Sequence, residues 1–194
     1  MSVAHIATPP PIDNGMLHLV IGGRSGFWTS VSNALSWLGS TTVLTVIVVI
    51  ATVIFLAFRQ WRTTLMLLLG SISAYWLMRV LKHLFDRDRP PVEDRLAHAA
   101  FQSMPSGHAM MSTIVFGLIA VGLYRSSTWI RQHPDVLMLA PILTGAIGLS
   151  RVYLGVHWMT DVVVGWLFGV LWVALFAGLA SVGADRTRAT AAAA

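Results

Sequence analysis

Three short polar segments interrupt an otherwise apolar chain, and each carries residue types suited to holding an anion. The first is Lys82-His83-Leu84-Phe85-Asp86-Arg87-Asp88-Arg89-Pro90, the second is Pro105-Ser106-Gly107-His108, and the third runs from Ser150-Arg151 to His157 and Asp161. Brought together, they assemble Lys82, Arg89 and Arg151 with two histidines and one carboxylate. Such an inventory fits phosphoryl transfer, in which a dianionic group needs fixed cations while charge spreads over its equatorial oxygens. Arg89 and Arg151 can each grip two oxygens with a planar fork, and Lys82 adds a point charge. Ser106 and Gly107 sit where a helix should begin, so their backbone N–H groups and the positive end of the helix dipole are expected to face the phosphate. Gly107 also permits close backbone approach.

His157 and Asp161 are four residues apart, one turn along the same face of a helix. Asp161 can then hold one ring nitrogen as N–H and leave the other free to attack, the orienting logic of a catalytic triad. His108, arriving from another helix, is the natural proton donor to a leaving oxygen. A two-metal site is the competing design. The carboxylates expected on this face are Asp86, Asp88, Glu93, Asp94 and Asp161, the first four interleaved with Arg87, Arg89 and Arg95. A cation-rich, carboxylate-poor site predicts chemistry without a metal or other cofactor.

The elements that must position these groups are membrane helices. Of the 194 residues, 56% are apolar and only 11% charged, against a charged fraction of roughly 25% in soluble domains, and the mean hydropathy is +0.71. Apolar runs near 41–58, 63–84, 109–124, 136–153 and 157–180 each approach the roughly 20 residues a crossing helix needs. The expected fold class is therefore all-α, a polytopic bundle of five spans, with 27–38 as a helix lying in the interface. Because successive spans alternate direction, all three polar segments fall on one face. The expected layout is an extension at 1–26, a membrane-embedded domain at 27–182 and a tail at 183–194, with residues 1–14 and the stretch from Asp185 read as solvated and weakly ordered. No basic n-region with a cleavage site precedes the first span.

Other features admit ordinary readings. The absence of cysteine excludes disulfides and a thiolate nucleophile. The net charge of +5 is spread over helix ends, which argues for membrane anchoring and against a nucleic-acid partner. Trp28, Trp37, Trp61, Trp129 and Trp158 read as interfacial belts. Gly165 and Gly169 form a G-x-x-x-G pattern that suits packing within the chain or a homodimer. His83, His98 and His133 read as loop residues, Arg79 as a headgroup anchor or a support for Lys82, and Met104, Met110 and Met111 as packing or a lipid-tail groove.

The segments K-x6-R-P, P-S-G-H and S-R-x5-H-x3-D, read here as Lys82 to Pro90, Pro105 to His108 and Ser150 to Asp161, resemble the three signatures of the type 2 phosphatidic acid phosphatase, or lipid phosphate phosphatase, superfamily. The resemblance covers roughly residues 27–180 and suggests a small bacterial-type member. It implies a phosphohistidine mechanism without metal, with His157 as nucleophile, Asp161 orienting it, and His108 as acid and then base. Lys82, Arg89, Ser106, Gly107 and Arg151 would hold the phosphoryl oxygens of a lipid phosphate or diphosphate. A phosphotransferase using the same intermediate and a non-catalytic lipid-phosphate binder or transporter are the alternatives. Soluble vanadate-dependent haloperoxidases share the pocket signatures, but continuous apolar spans disfavour that reading.

Overall fold

The computed structural model describes residues 9–192, with side chains as far as Ser181. Eight α-helices follow in order among the described residues: α1 Pro11–Gly22, α2 Gly26–Leu38, α3 Thr41–Ala57, α4 Trp61–Phe85, α5 Gly107–Ser126, α6 Thr128–Gln132, α7 Leu139–Tyr153 and α8 Met159–Ala192. Short 3-10 turns cover Val92–Asp94 and Pro134–Met138. The segments Trp61–Phe85, Gly107–Ser126, Pro134–Tyr153 and Met159–Ser181 are each long and apolar enough to cross a bilayer. The bent pair α2–α3, with a 50° elbow, supplies a fifth if counted as one span. The stretch expected in the interface, α2, and the expected first span, α3, are separate helices that meet at this elbow.

Serine caps mark where several helices start. Ser40 accepts from Val43 N–H at 3.4 Å and Ser106 from Ala109 N–H at 3.5 Å, satisfying donors that the first turn leaves unpaired. Within the spans, several hydroxyls turn back on their own helix, as when Thr113 Oγ1 donates to the Ala109 carbonyl at 2.7 Å, which satisfies them without water.

The central helix is α5, in contact with α3, α4, α7 and α8. Leu67, Met110, Ile114 and Leu118 form its fully buried core. Val46, Ile50, Val53, Leu167, Val170 and Leu171 face outward, the inverse of a soluble bundle. Lipid is as apolar as these side chains, so close packing must hold the helices together. Gly165 and Gly169 serve that purpose inside the chain: a Cβ at either position would press on Ser106, Met110 or Thr113 of α5. The G-x-x-x-G pattern is therefore used by the α5–α8 seam.

The N-terminal expectation meets a different structure. Pro11–Gly22 is helical and Asp13 is buried, at 1% exposure, because its carboxylate is the partner of groups far along the chain. At the other end α8 continues to Ala192 through the expected tail. Residues 1–8, 193 and 194 lie outside the described residues.

Candidate active site

The Lys82-to-Pro90 segment begins in the last turn of α4, which Asp86 ends in the left-handed conformation at φ 39°. From there the chain enters a loop without long helices that returns to α5. Ser103 N–H bonds the Arg87 carbonyl at 2.8 Å, and Arg89 donates to the Phe101 and Ala100 carbonyls at 2.9 and 2.8 Å. The loop is thereby folded back on itself over the mouth of the bundle. Lys82 Nζ donates to the Gln102 and Pro105 carbonyls at 2.7 and 2.9 Å.

The turn between α7 and α8 carries His157. Gly155 adopts φ +68°, and a Cβ there would stand 2.3 Å from the Asp94 carbonyl oxygen. Glycine is therefore required by both conformation and space. Arg24 clamps the same turn, donating from Nη2 to the Tyr153 and Asp94 carbonyls at 2.9 and 2.8 Å.

His157 is 3% exposed, with Nδ1 3.3 Å from Asp161 Oδ2 and Nε2 3.1 Å from Arg89 Nη1. A guanidinium nitrogen can only donate, so Nε2 is the acceptor and Nδ1 carries the hydrogen toward Asp161. Burial, reinforced by the charges of Arg89, Lys82 and Arg151, pushes the ring well below the usual 6.5. His157 is thus neutral, with its lone pair on the nitrogen facing the cations. Arg89 is itself pushed down by burial to about 10 and remains a cation at neutral pH.

One cavity of about 240 Å³ is shared by Lys82, Arg89, Gly107, His108, Arg151 and His157. Of the proposed catalytic and phosphate-binding residues, Asp161 and Ser106 do not line it: both are fully buried, Asp161 behind His157 and Ser106 behind the wall. Ser106 N–H donates to the Asp161 carbonyl at 3.0 Å, so it ties the start of α5 to α8 and does not face the cavity as expected. Arg151 donates to Ser36 Oγ, and the His108 ring lies beside Gly39, where a Cβ would come within 3.2 Å of its Cδ2. The α2–α3 elbow thus roofs the site.

Several participants went unread in the sequence. Asp161 accepts from Ser103 Oγ, from Trp158 N–H at 3.0 Å and, on its other oxygen, from Arg87 Nη1 at 2.6 Å. Arg87 also pairs with Asp13 at 2.6 Å, and Asp13 accepts from Thr160 N–H and Oγ1 at 2.9 and 2.6 Å. Trp158, expected in an interfacial belt, is 6% exposed and donates its indole N–H to the Asp88 carbonyl at 2.9 Å. Trp28, Trp37, Trp61 and Trp129 are exposed, as a belt requires. His98 lines the cavity, whereas His133 stacks on Trp129 at 4.5 Å. No group of three His, Asp or Glu side chains among the described residues converges as a metal site would need.

A helical bundle that spans the bilayer and closes four cations, Arg79, Lys82, Arg89 and Arg151, and three histidines around one cavity defines an integral-membrane protein with a site suited to an anion. Residues 63–181 match the PAP2 superfamily. The chain is 34% identical over 150 residues to phosphatidylglycerophosphatase B of Bacillus subtilis (strain 168), covering 76% of this chain and 73% of that one. It is 28% identical over 154 residues to an undecaprenyl-diphosphatase of Sulfolobus acidocaldarius, covering 79% and 64%. The crystal structure of a transmembrane PAP2-type phosphatidylglycerolphosphate phosphatase from Bacillus subtilis superposes with a TM-score of 0.82 at 30% identity, over 86% of this chain and 83% of that one. The protein belongs to the PAP2 superfamily as a membrane phosphatase.

Proposed function

We propose that this protein hydrolyses the terminal phosphate of a lipid phosphate or diphosphate through a phosphohistidine on His157, without a metal. The observation that carries the reading is the placement of His157, with Nδ1 against Asp161 and Nε2 against Arg89 in a cavity that Lys82 and Arg151 also line. In the first step Nε2 attacks phosphorus while the bond to the leaving oxygen breaks, and the three cations neutralise the equatorial oxygens. An entering phosphate oxygen takes over the Arg89 bond that occupies Nε2. His108 delivers a proton to the departing oxygen. In the second step His108 removes a proton from water, the water oxygen bonds to phosphorus, and the N–P pair returns to Nε2. The Asp161 carboxylate balances the cationic phosphoimidazole throughout.

The names of the relatives support a phosphatidylglycerol phosphate or a polyprenyl diphosphate as substrate. A phosphotransferase would use the same intermediate but need an acceptor hydroxyl. A pure binder would need the cations but not an oriented nucleophile with a separate acid. The protein is proposed to sit in the cell membrane with its site facing outward, since Arg59, Arg62, Arg125 and Arg131, with Arg186 and Arg188 counted from the sequence because their side chains lie outside the described ones, outnumber Arg24, Arg87 and Arg95 on the active face, the arrangement expected when positive charge stays inside. On the active face Arg87 is buried in ion pairs and half-buried Arg24 is spent on hydrogen bonds, which sharpens the asymmetry.

Purified protein in detergent should release phosphate from a panel of lipid phosphates with no acceptor added and with chelator present. Vanadate, a mimic of the five-coordinate transferring group, should inhibit. Complete loss in chelator, restored by a divalent ion, would reject the metal-free mechanism, and release only with an added alcohol would make the protein a transferase.

A further inference from the structure

The face of α4 that reaches the catalytic cavity continues down the helix as one stripe. Leu68, Ile72, Tyr75, Arg79 and Lys82 follow at steps of four, three, four and three residues, the spacing that stacks side chains on one side. The upper part, Tyr75, Arg79 and Lys82, lines the cavity that contains His157. The lower part, Leu68, Ile72 and Tyr75, lines an apolar groove of about 410 Å³ between α3, α4 and α5. Tyr75, Thr41 and Met111 belong to both, so the two spaces are continuous. Ile72 and Val49 on the groove wall are 57% and 55% exposed on the lipid-facing surface. A lipid chain lying in the groove therefore leads its headgroup up the stripe toward His157.

Arg79 is the first cation that this headgroup meets. It stands one turn below Lys82, about 4.5 Å along the axis at 1.5 Å per residue. Its guanidinium stacks on the Phe101 ring at 4.4 Å, and among the described residues it makes no ion pair or hydrogen bond. The scissile phosphoryl group already has Lys82, Arg89 and Arg151. A fourth cation, displaced toward the chain end of the substrate, suits a second negative charge between the scissile phosphate and the lipid.

We propose that Arg79 forms a subsite for a second phosphate and so selects lipids carrying two phosphates over lipid monophosphates. With a diphosphate, the Nε2–P bond forms as the P–O bond to the bridging oxygen breaks. The electron pair then remains on the inner phosphate, whose new charge Arg79 neutralises. Phe101 fixes the guanidinium plane by stacking. The inference rests on His157 being the phosphoryl acceptor, and it adds a residue outside the three signature segments.

The test compares phosphate release from geranylgeranyl monophosphate, geranylgeranyl diphosphate and phosphatidylglycerol phosphate in the same detergent. A charge-assisted bond to a phosphate predicts that Arg79→Gln lowers the two-phosphate to monophosphate ratio of kcat/KM by about 10- to 100-fold, with Arg79→Lys recovering part of it. Loss confined to the diphosphate places the phosphates in direct linkage, and loss confined to phosphatidylglycerol phosphate places a spacer between them. Phe101→Leu, at a residue 63% exposed, keeps the test open should Arg79→Gln fold poorly, and it should shift the ratio the same way by a smaller factor. An unchanged ratio in all variants overturns the subsite. No phosphate release by the wild-type protein from any of the three rejects the parent reading instead.

Discussion

Replacing Asp13 with asparagine probes the least expected part of the site. Asp13 and Asp161 each lie 2.6 Å from Arg87, with side-chain exposures of 2% for the arginine and 0% for both acids. Removing one member of a buried ion pair costs about 3–5 kcal/mol, since the partner charge stays desolvated. Arg87 keeps Asp161, and an asparagine oxygen can still accept the Thr160 N–H, so Asp13→Asn is expected at the low end, about 3 kcal/mol. In an Arg87→Met background no buried cation is left unpaired, and the same change should cost under about 1 kcal/mol, giving a coupling near 2 kcal/mol. The consequence reaches catalysis as well. With Asp13 neutral, Arg87 is balanced by Asp161 alone, and the charge available to steady the proposed cationic phosphoimidazole is diminished. We expect kcat to fall roughly tenfold, about 1.4 kcal/mol, when normalised to sites titrated by a phosphoenzyme burst. Unfolding in micelles followed by tryptophan fluorescence measures the first effect and rapid-quench kinetics the second. A stability change below about 0.5 kcal/mol with no coupling to Arg87 would refute the reasoning.

The two histidines should separate by leaving group. His157→Ala should lose turnover on every substrate, whereas His108→Ala should lose far more rate on a lipid monophosphate than on nitrophenyl phosphate and then stall after a burst of about one equivalent; the opposite pattern would reverse their roles. Stability should also depend on pH in a defined direction. Folded His157 is held neutral well below 6.5, while the unfolded chain takes up a proton near that value, so stability is complete above it and falls as pH drops, by up to about 1.4 kcal/mol per unit. His157→Asn should show a shallower decline between pH 7 and 5 in thermal inactivation, and an identical decline would count against a neutral buried ring. Finally, single cysteines in this cysteine-free chain report topology: Leu96→Cys should react with an impermeant maleimide on intact cells and Ser127→Cys should not, and the reverse would invert the protein.

The three signature segments were legible because charge is rare in this chain and is placed there at helix ends that alternate faces. Lys82, Arg89, His108, Arg151, His157 and Asp161 could be assigned roles from type and spacing alone. What escaped notice has no local signature. Asp13 lies in a short, proline-led helix too polar to cross, and its partners Arg87 and Thr160 are 74 and 147 residues away. Ser103 and Ser36 are single hydroxyls in or beside loops, and nothing in their neighbours marks one as bonded to Asp161 and the other to Arg151. Ser106 was placed correctly at a helix start, but which way its N–H points depends on α8 packing close enough to take it. Trp158 was misread because proximity to a span end predicts an interface only where the chain does not fold back over the ring.

The glycine seam between α5 and α8 also sets the register of the chemistry. His108 rides on one helix and Asp161 on the other, and a Cβ at Gly165 would stand 2.9 Å from the Ser106 carbonyl oxygen while one at Gly169 would stand 2.7 Å from Thr113 Cβ. A slip by one helical turn would carry His108, the proposed proton donor, about 5.4 Å past His157, the proposed nucleophile, so the two flat positions act as detents against misalignment. Alanine at either would not merely loosen the bundle; it would wedge it, leaving a protein able to insert and bind yet with His108 and His157 out of step. Defects of that kind resist repair by any change within the signature segments, and suppressors should instead arise as smaller residues across the seam, at Thr113 or Ala109.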